Sequence, residues 1–327
     1  MTCECGESNA RRERAARREP TEDKLDDYAV NDWMNLWRAA AVATLALGVL
    51  SGSAHAEGNL VAAITDTNGS NPWGSWNQSV GPWWGQVDTW DAPASSYSSS
   101  MQIFQDFPTG TVFSWSFPNE LNGTTNVYAY PSATYGLFGA GIFGGNPANV
   151  PTPLQFSSLG TAFTYTFNCT LSGNVDQQDF LFDAFTSDTD GPTTTPTYEI
   201  GYMAMTPSYN WNYYTKVGPS NPNTFIQTPD GNYYWVIVFP QSPPYVVIVP
   251  VTALDSSGTP IQQVDGNTHT VQMGSIISQL VSWGLVDGSA WFVGVSAGPE
   301  IGLGSGTLTV NQLSYSWQAG DALASNQ

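Results

Sequence analysis

From Asn59 onward the chain is a succession of short runs rich in aromatic and β-branched residues: NLVAAITD, MQIFQDF, TVFSWSF, NVYAYPSATYGLF, TAFTYTFNC, DFLFDAFT, TYEIGYMAM, YYWVIVF, YVVIVPVTAL, WFVGVSA and GTLTVNQLSYSW. Clusters of Gly, Pro, Asn and Ser separate them, and runs of this length bounded by turn residues specify strands. Pro243 and Pro244 in the QSPP link predict a hairpin between the runs on either side. One stretch breaks the pattern: between Val271 and Leu285, Met273, Ile276, Ile277, Leu280 and Val281 recur at helical spacing. The expected fold is all-β, a sandwich of two antiparallel sheets with one short helix laid against it. No internal repeat and no linker divides it.

Ahead of the strands, residues 1–33 are polar and charged, and Met34 then opens MNLWRAAAVATLALGVLSGSAHA. Arg38 supplies the basic region, Ala39 to Leu50 the apolar run, and Ala54-His55-Ala56 a small-x-small cleavage site, which together predict a signal peptide over 34–56. The apolar run is too short to span a bilayer. Met34 is the expected start, residues 1–33 an over-extended or disordered leader, and 57–327 a single exported domain, extracellular or periplasmic where the host has an outer membrane.

Export changes the charge balance. Seven of the eight Lys and Arg precede residue 57, leaving Lys216 and the imidazole of His269. Nine of the 27 acidic residues leave as well, so 18 remain against one lysine, a net charge of −17. Nucleic acid and anionic membranes need basic patches to meet phosphate, so neither is an expected partner. The substrate should be neutral or cationic, and the chain is expected to act as a monomer. Self-repulsion relieved by carboxylate protonation points to an acidic working environment.

Cysteine and histidine chemistry is limited in the same way. Cys169 is the only cysteine after residue 56, so no intramolecular disulfide forms, and in TAFTYTFNCTLSG it reads as a buried small hydrophobe. A nucleophilic Cys or Ser would depend on His269 alone. Zinc lacks ligands, and DTDGP at 188–192 lacks the full calcium spacing; no metal and no cofactor is expected.

Four glutamates follow residue 56: Glu57, Glu120, Glu199 and Glu300. Glu57 and Glu120 read as surface residues. Strand alternation places Trp291, Val293, Val295 and Ala297 on one face as core, with Phe292, Gly294, Ser296, Gly298 and Glu300 on a more open face. Glu199 alternates with Gly201, Met203 and Met205, opposite Tyr198, Ile200 and Tyr202. Strands disfavour Glu, so two of them in such settings stand out against ordinary surface residues. Two opposed carboxylic acids on a rigid scaffold are what glycosidic cleavage requires. Trp73, Trp76, Trp83, Trp84 and Trp90 cluster nearby in sequence; flat apolar rings suit pyranose faces, or else simply pack the core.

These residues resemble glycoside hydrolase family 12, secreted β-jelly-roll endo-β-glucanases and xyloglucanases. WFVGVSAGPEIGLGSGTLTVNQLSYSW is similar to the family's C-terminal pair of strands, with its acid/base glutamate in an Ala-Gly-x-Glu setting, which implies that role for Glu300. TYEIGYM resembles the nucleophile strand and implies Glu199 as nucleophile; FLFDAFTS implies Asp183 as the supporting aspartate. NVYAYPSATYG resembles the Val-x-Ala-Tyr-Pro strand, which puts Tyr130 among the substrate-binding residues. The family's Asn-x-Trp-Gly matches Asn71-Pro72-Trp73-Gly74, with Trp84-Gly85 as the alternative. Two residues beyond the nucleophile the family commonly carries Met, and four beyond it Trp; here these are Gly201 and Met203, the latter implied to face substrate. The resemblance implies retaining hydrolysis of a neutral β-glucan without a cofactor. A non-catalytic carbohydrate-binding sandwich and an adhesive surface protein are the rival readings; a polysaccharide lyase would call for basic side chains nearly absent here.

Overall fold

A computed structural model describes residues 58–77, 83–89, 92, 96–118, 127–137, 154–160, 163–173, 178–191, 196–206, 225–239, 242–254 and 258–316. Every described residue belongs to one unit, Ser53–Gln327. The leader, the signal peptide, Glu57, Trp90, Glu120 and Lys216 lie outside the described residues.

The alternating runs form sixteen strands among the described residues, numbered in chain order and gathered into two sheets. The smaller sheet has the order β1 (Leu60–Thr67), β4 (Ser98–Phe104), β5 (Val112–Ser116), β16 (Ser305–Ser316), β8 (Thr164–Gly173) and β14 (His269–Val271). The larger runs β11 (Phe225–Gln227), β12 (Tyr233–Phe239), β13 (Tyr245–Val251), β10 (Glu199–Met205), β9 (Gln178–Ser187), β15 (Trp291–Ile301), β6 (Ser132–Gly136), β3 (Trp83–Gln86) and β2 (Ser75–Asn77), and β7 (Leu154–Gln155) also pairs with β15. This is a β-jelly-roll sandwich. The QSPP link does close a hairpin, with Tyr245 opposite Phe239.

The expectation of wholly antiparallel sheets needs one correction. β10 and β13 pair in parallel, with Glu199 opposite Tyr245 and Gly201 opposite Val247. The chain leaves β10, passes through β11 and β12, and only then returns in β13, whose hairpin with β12 sets its direction.

Inner-facing side chains of both sheets meet in an aromatic core. Phe182 of β9 stacks on Tyr165 of β8 at 5.3 Å and lies 4.8 Å from Phe167 by ring centroid, with Tyr202 edge-on at 6.1 Å. Each such pair adds roughly 0.5–1.5 kcal/mol beyond area burial. Trp76 and Trp83 belong to this packing, both edge-on to Phe107. Cys169 is buried and free, and burial pushes its thiol pKa up. His269 Nε2 lies 2.9 Å from Asp265 Oδ1.

Helix α1 spans Met273–Ser282 and turns Met273, Ile276, Ile277 and Leu280 into the core. Val271, read from its spacing as helical, closes β14 instead and pairs with Tyr165.

Two bulges alter the expected faces. Between Phe292 and Gly294 the register of β15 against β9 shifts, so Phe292 turns inward against Phe163 while Trp291 and Val293 join Leu137 and Phe185 on the outer face. An extra residue in a strand reverses alternation on one side of it, so the expected grouping of Phe292 with Gly294 and of Val293 with the core fails there. The shift between Met203 and Met205 likewise sends Met205 to the core, away from the face of Glu199.

Candidate active site

The site is built on the outer face of the larger sheet, at the centre of its strand order. In β9, Phe180, Phe182 and Ala184 fill the inner core, so alternation turns Asp179, Leu181 and Asp183 outward. β10 contributes Glu199 and β15 contributes Glu300, one strand on each side of β9. A continuous rung crosses the sheet: Trp84 pairs with Thr134, Thr134 with Ser296, Ser296 with Asp183, Asp183 with Gly201 and Gly201 with Val247. Thr134 and Ser296 share a 2.8 Å hydroxyl hydrogen bond.

Asp183 is 4% exposed and hydrogen-bonds Glu199. Burial, then the Glu199 and Glu300 charges, raise its pKa well above the carboxylate range. Glu199 is pushed up to about 7, by burial first and then by Glu300, while the bond from Asp183 works the other way. The bond raises Asp183 and lowers Glu199, the signs that go with Asp183 as donor. Glu300 is also raised by burial, partly offset by a hydrogen bond with Asp179. The site thus gathers Glu199, Glu300 and Asp183 within electrostatic reach of one another, together with a fourth carboxyl, Asp179, that belongs to Glu300. Asp179 was legible in principle, since it lies four residues before Asp183 and shares its face.

Tyr130 lies among them. Its hydroxyl is 3.2 Å from both Leu181 O and Ser296 O, spanning β9 and β15, and its pKa is pushed well up by burial and by Asp183, Glu300 and Glu199. Met203 is buried in an outer-face apolar cluster with Leu181, Ile237, Val247, Val249 and Val251. Gly298, expected to keep the face open for a ligand, has another role: a Cβ there would collide with Pro131 O, so glycine admits the neighbouring backbone.

The two candidate tryptophans differ. Trp84 is 1% exposed, whereas Trp73 is 44% exposed at the edge of the larger sheet. Asp66 fixes the turn presenting Trp73: its carboxylate accepts from Asn71 N at 2.8 Å and from Thr89 Oγ1 and Tyr97 Oη at 2.5 Å. Val87 N donates to Gly74 O and Thr89 N to Pro72 O, which sets Trp73 alongside Asp88. Asp88, unnoticed in the sequence, accepts from Gln86 Nε2 at 3.1 Å and is raised to about 7 by burial.

A separate cavity of about 300 Å³, lined by Asp188, Thr197, Tyr198, Pro244, Asp287, Ser289 and Ala290, opens at the strand ends and includes none of the three central carboxyls. Among the described residues no helix is long and apolar enough to cross a membrane.

No family model and no curated protein matches the chain by sequence. Its structure, however, is similar to a family 12 xyloglucanase from Bacillus licheniformis (TM-score 0.58, 15% identity, covering 78% of this chain and 99% of that one). It is similar also to endoglucanase 3 of family 12 from Trichoderma harzianum (TM-score 0.56, 15% identity, 78% and 98% covered). An endoglucanase from Rhodothermus marinus shares the fold as well (TM-score 0.52, 16% identity, 77% and 100% covered). The chain thus has the fold of these structures over nearly their whole length.

Proposed function

We propose that this chain is a secreted, endo-acting glycoside hydrolase of the family 12 type, cleaving β-1,4-glucan, mixed-linkage glucan or xyloglucan with retention of anomeric configuration. The observation that carries the reading is Asp183 hydrogen-bonded to Glu199, with Glu300 within electrostatic reach of both on one sheet face. Structural ion-pair networks also perturb carboxyls, but three raised acids gathered on a fold shared with glucan hydrolases favour chemistry over packing.

In the proposed reaction Glu199 attacks the anomeric carbon while Glu300 gives its proton to the departing oxygen; Glu300 then takes a proton from the water that hydrolyses the glycosyl-enzyme. The division of labour needs Glu199 ionised while Asp183 and Glu300 keep their protons. Burial makes each of the three reluctant to ionise, and the bond from Asp183 favours the ionised form of Glu199. Trp73, the exposed ring, is the proposed stacking platform for a sugar, with Tyr130 and Met203 shaping the floor from within the face. The excess of acid over base supports export.

The test is an assay of residues 57–327 on a panel of β-glucans at several pH values, beside Glu199→Gln and Glu300→Gln. Loss of nearly all hydrolysis in both variants, with substrate binding kept, supports the reading. Glucan binding without hydrolysis in any of the three proteins makes it a binding module instead.

A further inference from the structure

The parallel pairing of β10 with β13 sets Tyr245 directly opposite Glu199. Two residues on, Gly201 leaves room for the phenol: a Cβ at Gly201 would lie 2.5 Å from Tyr245 Oη, 3.0 Å from its Cε2 and 2.9 Å from Leu181 Cδ1. The ring therefore leans across β10 towards β9. There its hydroxyl comes within 3.5 Å of Asp183 Oδ1, the residue that pairs with Gly201 from the other side. Phe239 stacks on the Tyr245 ring with centroids 5.9 Å apart, which restricts its rotation. Gly201 has φ in the ordinary range, so the glycine is not there for backbone freedom; its missing side chain is the opening through which the phenol passes.

We propose that Tyr245 is a positioning residue of the hydrolytic site: lying in the space that Gly201 leaves open, it donates to Asp183 Oδ1 and so aims the Asp183 carboxyl proton at Glu199. The proposal rests on the functional reading above. Its physical content is an ordered chain of hydrogen bonds, Tyr245 to Asp183 to Glu199, in which each donor fixes the orientation of the next carboxyl plane. A carboxylic acid held on one oxygen keeps its proton on the other, facing the nucleophile. The titratable groups around Asp183 are Glu199 on β10, Tyr245 on β13, Glu300 on β15, Tyr130 ahead of β6 and Tyr165 on β8. Of these, Tyr245 acts on Asp183 opposite in sign to burial and to Glu199 and Glu300.

The experiment compares Tyr245→Phe, Gly201→Ala and the double variant with the wild-type chain. Tyr245→Phe keeps the ring and its stacking but removes the donor; kcat should fall roughly tenfold, the equivalent of about 1.4 kcal/mol, with KM little changed. The acid limb of the kcat profile should move to higher pH, because Asp183 becomes a weaker donor to Glu199. Gly201→Ala, which leaves the hydroxyl in place but displaces it, should shift the same limb in the same direction. In the double variant the two losses should not multiply, since both break one link. A Tyr245→Phe protein whose kcat and pH profile match wild type overturns the proposal; if that variant does not fold, an unshifted profile in Gly201→Ala overturns it equally. Carboxyl-carbon NMR titration of Asp183 and Glu199 provides a readout independent of turnover. A wild-type chain that hydrolyses no glucan sinks the functional reading alone, while the titration still decides whether Tyr245 controls Asp183: unchanged titration in Tyr245→Phe overturns the link and a shift supports it.

Discussion

Asp183, in the middle of β9, is hydrogen-bonded to Glu199 at the start of β10, and burial raises the pKa of both carboxyls. Burial dominates in each case, so the pair is held in a partly dry environment where a single proton position decides which carboxyl carries charge. Removing the donor should strand Glu199. Asp183→Ala is expected to lower kcat roughly a hundredfold and Asp183→Asn, which keeps an N–H donor, roughly tenfold, with melting temperatures measured alongside to separate chemistry from folding. Equal losses in the two variants would argue that the proton on Asp183 matters less than its shape.

The pH profile follows from the same residues. The nucleophile must be ionised, and Glu199 gives up its proton only towards about 7, so kcat/KM should rise from the acid side as pH approaches that value. It should fall again once Glu300, itself raised by burial, loses the proton it must donate. The bond between Asp179 and Glu300 lowers the latter's pKa, so Asp179→Ala should move the alkaline limb to higher pH and leave the acid limb in place. A shift of the acid limb instead would mean that the two glutamates have exchanged roles.

Stability should be greatest in acid. In the folded chain Asp88 keeps its proton up to about 7, against 3.8 for the free group, so between those values the folded state binds more protons than the unfolded one. Stability is then fully present below about pH 4 and declines as pH rises towards 7. Asp88→Asn removes that decline at one site, and urea unfolding at pH 4 and pH 7.5 should find the variant gaining of order 2 kcal/mol relative to wild type at the higher pH. No difference between the two pH values would show that Asp88 is solvated when ionised.

Gly298 links the backbone to the site. Gly298 lies two residues before Glu300, and a methyl group there would strike Pro131 O, where the backbone has little room to yield. Gly298→Ala should therefore lower the melting temperature by several degrees, the equivalent of about 1–3 kcal/mol, and lower kcat with it. Calorimetry and steady-state kinetics on one preparation check both.

The strands, the sandwich and the helix were legible because alternation and turn residues are local signals, and Met273, Ile276, Ile277 and Leu280 carry the helical period within one segment. The faces of Glu199 and Glu300 follow from alternation, Glu300 because the run from Gly294 onward lies beyond the bulge in β15, whereas Asp183 was drawn from the resemblance of FLFDAFTS alone. Parity failed where the backbone inserts a residue, as at Phe292 and Met205, because a bulge leaves no mark in hydrophobic pattern. The tryptophans were ambiguous, since a ring suited to a sugar face suits Phe107 equally well; Trp76 and Trp83 went to the core and Trp73 stayed exposed. Tyr245 was invisible, because its approach to Asp183 depends on a parallel pairing between strands distant in sequence.

The central claim is double displacement by Glu199 and Glu300, and the most direct measurement is proton NMR of the first product released from a soluble β-1,4-glucan oligosaccharide, recorded before mutarotation. The account predicts that the β-anomer appears first and that Glu199→Gln and Glu300→Gln release neither anomer at a comparable rate. Initial release of the α-anomer, or turnover by either variant at the wild-type rate, would contradict it.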